Sequence, residues 1–464
     1  MSEQDVTLEE FVEEGDGATT DSPETDPDTL DQEQFGPFTL STPGEWTAKR
    51  LGDIKQLITR GKQPTYDDDG VPVINQECIY WDGWHFENLR YLEEDVADGW
   101  KEKYFPEGGD VIVNSTGQGT LGRAQVYPGD EHRAIDSHVT LLRTDGELSP
   151  HFHRYFLESH LGQALLYSMC VNGSTGQIEL SKTRLDLLPT PLPPLDEQRK
   201  IASVLYNVDQ AIEKTEEVIE QTHLVKKALM QDLFHGYYKD FDSYQSTPVG
   251  EIPSHWSVVS IGDVVHTAQY GISESLSEEG QYPIFRMNNI ENGYMVNEPL
   301  KYIDLDDDEF EKYRVEERDI LFNRTNSLEL VGKTGIYELD GDHVFASYLV
   351  RLQTNDRADS YYLNYYMNSF EAQNRMRDFA TKGVSQANIN ANSIQQVQLP
   401  LPPIEEQKEI ANRINSIDSE IEVNHRYKSQ LQRLKQGLMQ DMLSGEVRTT
   451  DADIPVLNAV AQHG

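Results

Sequence analysis

The sequence predicts an α+β protein made of two tandem mixed α/β domains, each followed by a long α-helix. Three observations predict it: a duplication through most of the chain, a proline-rich stop late in each copy, and an apolar seam of heptad spacing after each stop. The duplication begins at Pro43-Gly44-Glu45-Trp46 and Leu51-Gly52-Asp53-Ile54, answered by Pro253-Ser254-His255-Trp256 and Ile261-Gly262-Asp263-Val264 at an offset of 210. Gly109-Asp110-Val111-Ile112-Val113-Asn114 is answered by Arg318-Asp319-Ile320-Leu321-Phe322-Asn323, Gly122-Arg123 by Gly332-Lys333, and Gly173 by Gly383. Strongest is Leu192-Pro193-Pro194-Leu195-Asp196-Glu197-Gln198 against Leu401-Pro402-Pro403-Ile404-Glu405-Glu406-Gln407, at 209. So steady an offset excludes chance and argues that the copies share a task.

The first part of each copy reads as short strands between Gly, Asn and Asp turns, as in Val71-Pro72-Val73-Ile74 and Tyr282-Pro283-Ile284-Phe285, with one helical stretch near Phe152 to Met169 and Tyr361 to Phe379. The second part starts at Pro189, Pro191, Pro193 and Pro194, and again at Pro400, Pro402 and Pro403; it then lacks Pro and Gly until Gly236 in the first copy and has only Gly437 late in the second. Asp196 and Glu405 are the expected N-caps, with Glu197 and Glu406 at the positive helix end. The seam runs through Ile201, Leu205, Val208, Ile212, Thr215, Ile219, Thr222, Leu229 and Leu233, interrupted by Lys226. Its twin runs through Ile410, Ile414, Ile417, Ile421, Leu431, Leu438 and Met442, interrupted by Asn424, Lys428 and Lys435. A run of about 39 residues makes a rod of about 58 Å, and its apolar stripe must be covered, most simply by the equal rod. The expected divisions are an acidic disordered tail at 1–34, globular domains at 35–190 and 237–400, spacer helices at 191–236 and 401–447, and a disordered C-terminal tail at 448–464.

The charge opposes the simplest nucleic-acid reading. Among 464 residues there are 80 Asp and Glu against 39 Lys and Arg, a net charge of -41. Residues 1–34 hold 13 of the acidic residues and no cation, which leaves -28 on the rest. So acidic a surface resembles proteins of a high-salt cytoplasm and suggests a halophilic archaeon; near molar salt the Debye length is about 3 Å and a polyanion is repelled only at short range. Local cations then matter more than net charge. Two cysteines, Cys78 and Cys170, exclude a disulfide framework and a cysteine-only zinc site. No apolar run nears the ~18 residues of a membrane span, and the start lacks a signal-peptide pattern, so a cytoplasmic protein with no membrane partner is expected.

Catalytic motifs fail on inspection. Gly117-Gln118-Gly119-Thr120-Leu121-Gly122 spells the dinucleotide fingerprint, but Arg123-Ala124-Gln125-Val126-Tyr127-Pro128 reads as strand and turn where a helix must follow. Gly332-Lys333-Thr334 ends like a phosphate loop, yet Ser327 occupies the place of its first glycine. Pro27-Asp28 with Asp53-Ile54-Lys55 has a loose nuclease spacing, but Asp28 falls in the acidic tail and cannot be held preorganised. His151, His153 and His160 lack a further ligand at metal spacing and read as solvated. No Asn-Pro-Pro-aromatic or Asp-Pro-Pro-aromatic tetrapeptide of amino-methyltransferases occurs. No catalytic residue, metal site or cofactor is expected in this chain.

Binding remains, and loops at matching places supply its parts. In the first copy the DNA-binding candidates are Lys62, Gln63, Thr65, Asn75, Gln76, Asn114, Ser115, Thr116, Arg123, Ser174, Thr175, Gln177 and Lys182. In the second they are Arg286, Asn288, Asn289, Asn323, Arg324, Asn326, Lys333, Lys382, Ser385 and Gln386. Asn and Gln can pair bidentately with adenine and Arg with guanine, while Lys suits phosphates.

The order of globular domain, Leu-Pro-Pro-Leu-Asp-Glu-Gln helix, globular domain and Leu-Pro-Pro-Ile-Glu-Glu-Gln helix resembles the specificity subunit of type I restriction-modification enzymes. So do Asp110-Val111-Ile112-Val113-Asn114-Ser115-Thr116 and Asp319-Ile320-Leu321-Phe322-Asn323-Arg324-Thr325-Asn326-Ser327. The resemblance covers about 36 to 450. It implies two target recognition domains, each reading one half of a bipartite double-stranded DNA target, and two helices paired as an antiparallel coiled coil with pseudo-two-fold symmetry that fixes the gap. It also implies a non-catalytic chain that directs two methyltransferase (M) subunits and restriction (R) subunits, on which S-adenosylmethionine, ATP and Mg2+ would act. Pro193, Pro194, Glu197, Gln198, Pro402, Pro403, Glu406 and Gln407 would dock subunits. The competing expectation is a coiled-coil scaffold, or a stand-alone DNA-binding protein without restriction partners.

Overall fold

The computed structural model describes residues 30–35, 38–173, 178–382 and 386–462, in two compact units. Unit 1 holds the chain up to 214 together with 429 onward; unit 2 holds 215–428. Both are mixed α+β.

In unit 1 the central sheet orders four antiparallel strands as Lys55–Arg60, Val139–Thr144, Val111–Asn114 and Ala124–Val126. The last two are buried along their whole length, which is why Val111-Ile112-Val113 is a continuous apolar run, and their two polar members, Asn114 and Gln125, are buried with them. A second sheet pairs Val71–Ile74 antiparallel with Arg90–Leu92 and parallel with Ala134–Ile135. The proline-rich stop is itself a strand, Pro189–Leu192, paired among the described residues only with Thr47–Arg50, so its missing N–H groups fall on the side without a neighbouring strand. Trp46, Ile58, Val113, Phe152, Tyr155 and Phe156 share one core with Ile201, Ala202 and Leu205 and with Met439, Met442 and Leu443.

Unit 2 repeats this order. Its main sheet runs Val265–Tyr270, Leu349–Thr354, Ile320–Asn323, Thr334–Ile336, Tyr294–Met295 and Ile290–Glu291, and a second joins Lys301–Ile303, Tyr282–Phe285 and Val344–Phe345. Trp256, Ile320, Phe322, Tyr362 and Tyr366 share a core with Met230, Leu233 and Phe234 and with Ile410, Ala411 and Ile414. The long helices are Leu195–Phe234 and Ile404–Ser444, and the unit boundary falls inside both. Residues of both helices pack together in each unit. The lysines that interrupt the seam are ion-paired: Lys226 with Asp418, Lys428 with Glu216 at 2.6 Å, and Lys435 with Asp209 at 2.7 Å.

Several expectations are corrected. Asp196 and Glu405 lie within the first helical turns and are not N-caps. The single helix expected near 152–169 is broken at Ser159, whose extended backbone ends Pro150–Glu158 and whose Oγ accepts from the Gly162 N–H to start His160–Leu165. Ser369 does the same between Ser360–Asn368 and Phe370–Asp378. A serine that can cap a new helix outweighs the apolar period running through it. His153 is wholly buried, not solvated, and burial pushes its imidazole pKa down to about 3.

The acidic tail expected at 1–34 is cut short, because Leu30–Phe35 is a strand paired with Phe38–Pro43; residues 1–29, Asp28 among them, lie outside the described residues. The C-terminal tail is not disordered up to 462. Val460 is buried in the unit 1 core, Asn458–Ala461 is helical, and the Arg448 guanidinium grips the Glu197 carboxylate at 2.8 and 2.9 Å. A composition of Asp, Thr and Ala conceals the few apolar residues that anchor it. Among the described residues no helix is long and apolar enough to cross a membrane.

Candidate nucleic-acid interface

Each central sheet ends in a loop that needs glycine. A Cβ on Gly61 would stand 2.0 Å from the Asp136 carbonyl oxygen, and one on Gly271 would stand 2.3 Å from that of Phe345. Only glycine lets the strand cross so close to the neighbouring segment. The polar clusters lie beside these crossings.

In unit 1, Arg60 donates to the Ser137 carbonyl at 2.7 Å and pairs with Glu179 at 2.8 Å. The Ser137 hydroxyl donates to Gln63 Oε1 at 2.6 Å. Asp136 is fully buried; burial raises its carboxyl, against the Tyr66 hydroxyl at 2.7 Å and the His138 N–H at 2.8 Å, which favour its charge. The His138 ring meets Thr116 Oγ1 at 2.9 Å, and that hydroxyl lies 3.3 Å from Gln76 Oε1. Arg123 stacks over the Tyr80 ring at 4.8 Å and Lys62 over Trp100 at 4.7 Å. Such a cluster offers amide, imidazole, hydroxyl and cationic groups to an anionic polymer or base edge.

In unit 2 the same positions carry different chemistry. Tyr270 stands where Arg60 does and Tyr348 where His138 does, 41 % and 44 % exposed. Arg324 lies over the Tyr270 ring at 4.9 Å and donates to the Ser347 carbonyl at 3.2 Å and to Asn388 Oδ1 at 3.0 Å, while Asn388 donates to Thr325 Oγ1 at 2.8 Å. Exposed aromatic faces beside a guanidinium replace the imidazole and carboxylate.

The structure divides the sequence candidates. Lys62, Gln63, Thr65, Lys182, Asn288, Lys333 and Gln386 are exposed, and Gln76, Thr116, Arg123, Arg286, Arg324 and Asn326 are half-buried at or near the loops. Asn75, Asn114, Ser115, Asn289 and Asn323 are buried and hold backbone in place instead of facing a ligand. Asn75 bonds Asn88 and Glu77, Asn114 reaches the carbonyls of Gln76 and Ile79, and Ser115 meets Thr140. Asn289 reaches Val296 and Pro299, and Asn323 reaches Leu330. Ser174, Thr175, Gln177, Ser385 and the side chain of Lys382 lie outside the described residues. The sequence marked Arg60 as part of the loop Arg60-Gly61-Lys62-Gln63-Pro64-Thr65 but not His138, Tyr270 or Tyr348; the signal was a change of residue type at positions matched by the duplication.

The expected docking motif is mostly inward-facing. Gln198 accepts from the Ser149 N–H at 2.8 Å and donates to Glu147 and Pro193 carbonyls, and Gln407 does the same with Asp359, Arg357 and Pro402. Burial alone would raise the Glu197 carboxyl, but Arg448, the Thr449 N–H and Trp46 outweigh it and hold the pKa below the ordinary 4.5. Glu406 takes Trp256 and His255, both at 2.9 Å. Pro193, Pro402, Glu197, Gln198 and Gln407 are therefore buried corner-pieces of their own unit, and only Pro194 and Pro403 are exposed. Among the described residues no group of three or more His, Cys, Asp and Glu could hold a metal ion, and the Gly117–Gly122 segment turns directly into the strand Ala124–Val126.

Repeated modules on one scaffold, each presenting its own loop cluster beside a long-helix partner, define a modular recognition protein. The family model of the type I restriction modification DNA specificity domain matches residues 43–221 and 253–433, and the chain belongs to that family: it is a DNA specificity subunit of type I restriction-modification. It is 27% identical over 429 residues to the putative type I restriction enzyme MjaX specificity subunit of Methanocaldococcus jannaschii, covering 88% of this chain and 94% of that one. It is 21% identical over 393 residues to the EcoKI specificity subunit of Escherichia coli, covering 81% and 82%. In fold it is similar to the type I S subunit from M. genitalium, with a TM-score of 0.51 at 15% identity over 86% of this chain and 96% of that one. A chain solved in the context of complex assembly and conformational transition of a type I system gives 0.56 at 19% identity over 88% and 99%.

Proposed function

We propose that each unit carries a target recognition domain that reads one half of a bipartite double-stranded DNA target, and that the helices pair as an antiparallel coiled coil fixing the gap between halves. The carrying observation is that two modules of one element order present different side chains at matched loop positions, Arg60 and His138 against Tyr270 and Tyr348. Two different half-sites are what such a pair can distinguish. The antiparallel reading is supported within unit 2, where Glu216 pairs with Lys428 and Lys226 with Asp418, so that advance along one helix is retreat along the other.

In this reading the chain is non-catalytic and guides two M subunits and R subunits, with S-adenosylmethionine, ATP and Mg2+ acting on them. Pro194, Pro403 and the exposed helix flanks remain for docking. Counterion release contributes little near molar salt, so in a high-salt cytoplasm affinity rests on shape and direct contacts. The test is to reconstitute the chain with its methyltransferase partner and map methylated adenines. Replacing residues 237–400 with another recognition domain is expected to change one half-site and leave the other intact; changes in both halves would refute modular reading. One heptad inserted in both helices is expected to lengthen the gap.

A further inference from the structure

The lysines in the helical seam belong to two matching joints. In unit 1, Lys435 of the second long helix lies 2.7 Å from Asp209 of the first, and the same carboxylate takes the Tyr155 hydroxyl at 2.8 Å and Arg154 at 2.9 Å, both from helix Pro150–Glu158. In unit 2, Lys226 of the first long helix pairs with Asp418 of the second. Lys226 stands over the Tyr365 ring at 5.5 Å, as Lys435 stands over Tyr155 at 5.7 Å. The Tyr294 hydroxyl bonds that of Tyr365 at 2.7 Å and reaches Asp418 at 3.5 Å. Asp209 and Asp418, and Lys226 and Lys435, are duplicates of one another, as are Tyr155 and Tyr365. One joint has been built twice, with the two helices exchanging the acid and the base.

We infer that these two joints fix the position of each recognition module along the helix pair, making Asp209, Lys226, Asp418 and Lys435 positioning residues for the length of the DNA gap. The inference rests on the bipartite reading above. An apolar heptad seam tolerates a slip of one heptad, since apolar residues meet apolar residues again; a charge that is mostly buried does not, because it is left without its partner. The four side chains are between 11% and 21% exposed, so their pairing is poorly replaced by water. Slipping by seven residues either way sets Lys226 against Ala411 or His425, and Asp418 against Ile219 or Leu233. Laid in the same direction, the helices would set Asp209 against Asp418 and Lys226 against Lys435, like against like. The tyrosines bring the module's own helix into the joint, so helix register and module position are set together.

The test uses the full chain with Lys226→Asp, Asp418→Lys and the exchanged pair K226D/D418K. Binding is measured to duplexes carrying the mapped target with its gap unchanged, or longer or shorter by one base pair, and melting is measured on the chain alone. The unaltered chain is expected to prefer the native gap by about tenfold or more, K226D to lose most of that preference, and the exchanged pair to regain it to within about threefold. If the exchanged pair is as defective as K226D, or if K226D melts earlier while keeping its full gap preference, the positioning role is overturned. If the unaltered chain shows no gap preference, the bipartite reading fails. The melting cycle then decides the joint alone: recovery of stability in the exchanged pair supports it, and additive losses overturn it.

Discussion

Unit 1 and unit 2 share a scaffold and differ where the scaffold ends. The shared part includes buried Asn114 and Asn323 at strand ends, Gly61 and Gly271 at the crossings, and Gln198 and Gln407 locking the helix corners. The part that differs reaches solvent: half-buried Arg60 and His138 with exposed Glu179 in one unit, exposed Tyr270 and Tyr348 around half-buried Arg324 in the other. The difference teaches that the groups enforcing the fold and the groups free to choose a ligand are neighbours in sequence but separated by burial.

The comparison breaks most severely at the crossings. Gly61→Val and Gly271→Val drive a side chain into a carbonyl oxygen, with an expected cost of about 3 kcal/mol, visible as earlier melting and as lost recognition of one half-site for each variant. Next comes the corner. The lowered Glu197 pKa means that its charge stabilises unit 1 above about pH 4.5, and that this is lost as the pH falls through the lowered folded value. Glu197→Gln is expected to cost about 2 kcal/mol at neutral pH and to flatten the acid limb of a melting-temperature profile; an unchanged limb would remove Glu197 as its source. Arg324→Ala is expected to weaken discrimination in the second half-site by about 1–3 kcal/mol with the first untouched, read by competition between duplexes altered in one half at a time.

The smallest effect has the opposite sign. Among the described residues His153 has no hydrogen-bond partner for either ring nitrogen, and Leu363 fills its duplicate position, both wholly buried. His153→Leu is expected to stabilise the chain by about 1 kcal/mol, measured by denaturant melting.

Much of the fold was legible because it is written twice. The offsets located strands 111–114 and 320–323, the helix corners and both long helices, whereas the seam lysines read only as interruptions and their partners Asp209 and Asp418 were not marked. The site was less legible. Asn, Ser and Gln look alike in sequence whether they hold a backbone or face solvent, and Asn114 and Gln63 are told apart only by burial. The anchored segment after Arg448 was missed because its contacts are long-range: Glu197 lies 251 positions away.

That last contact bears on how the protein is made. Unit 2 is complete once residue 428 has emerged from the ribosome, whereas unit 1, begun first, still lacks Arg448, Val460 and the Met439 to Leu443 face of its core. At about 5–20 residues per second, the earlier module waits with its Trp46 and Glu197 corner open until the later one has already been synthesised. The order of synthesis is thus the reverse of the order of completion, and an interrupted chain would deliver a finished second reader attached to an unfinished first.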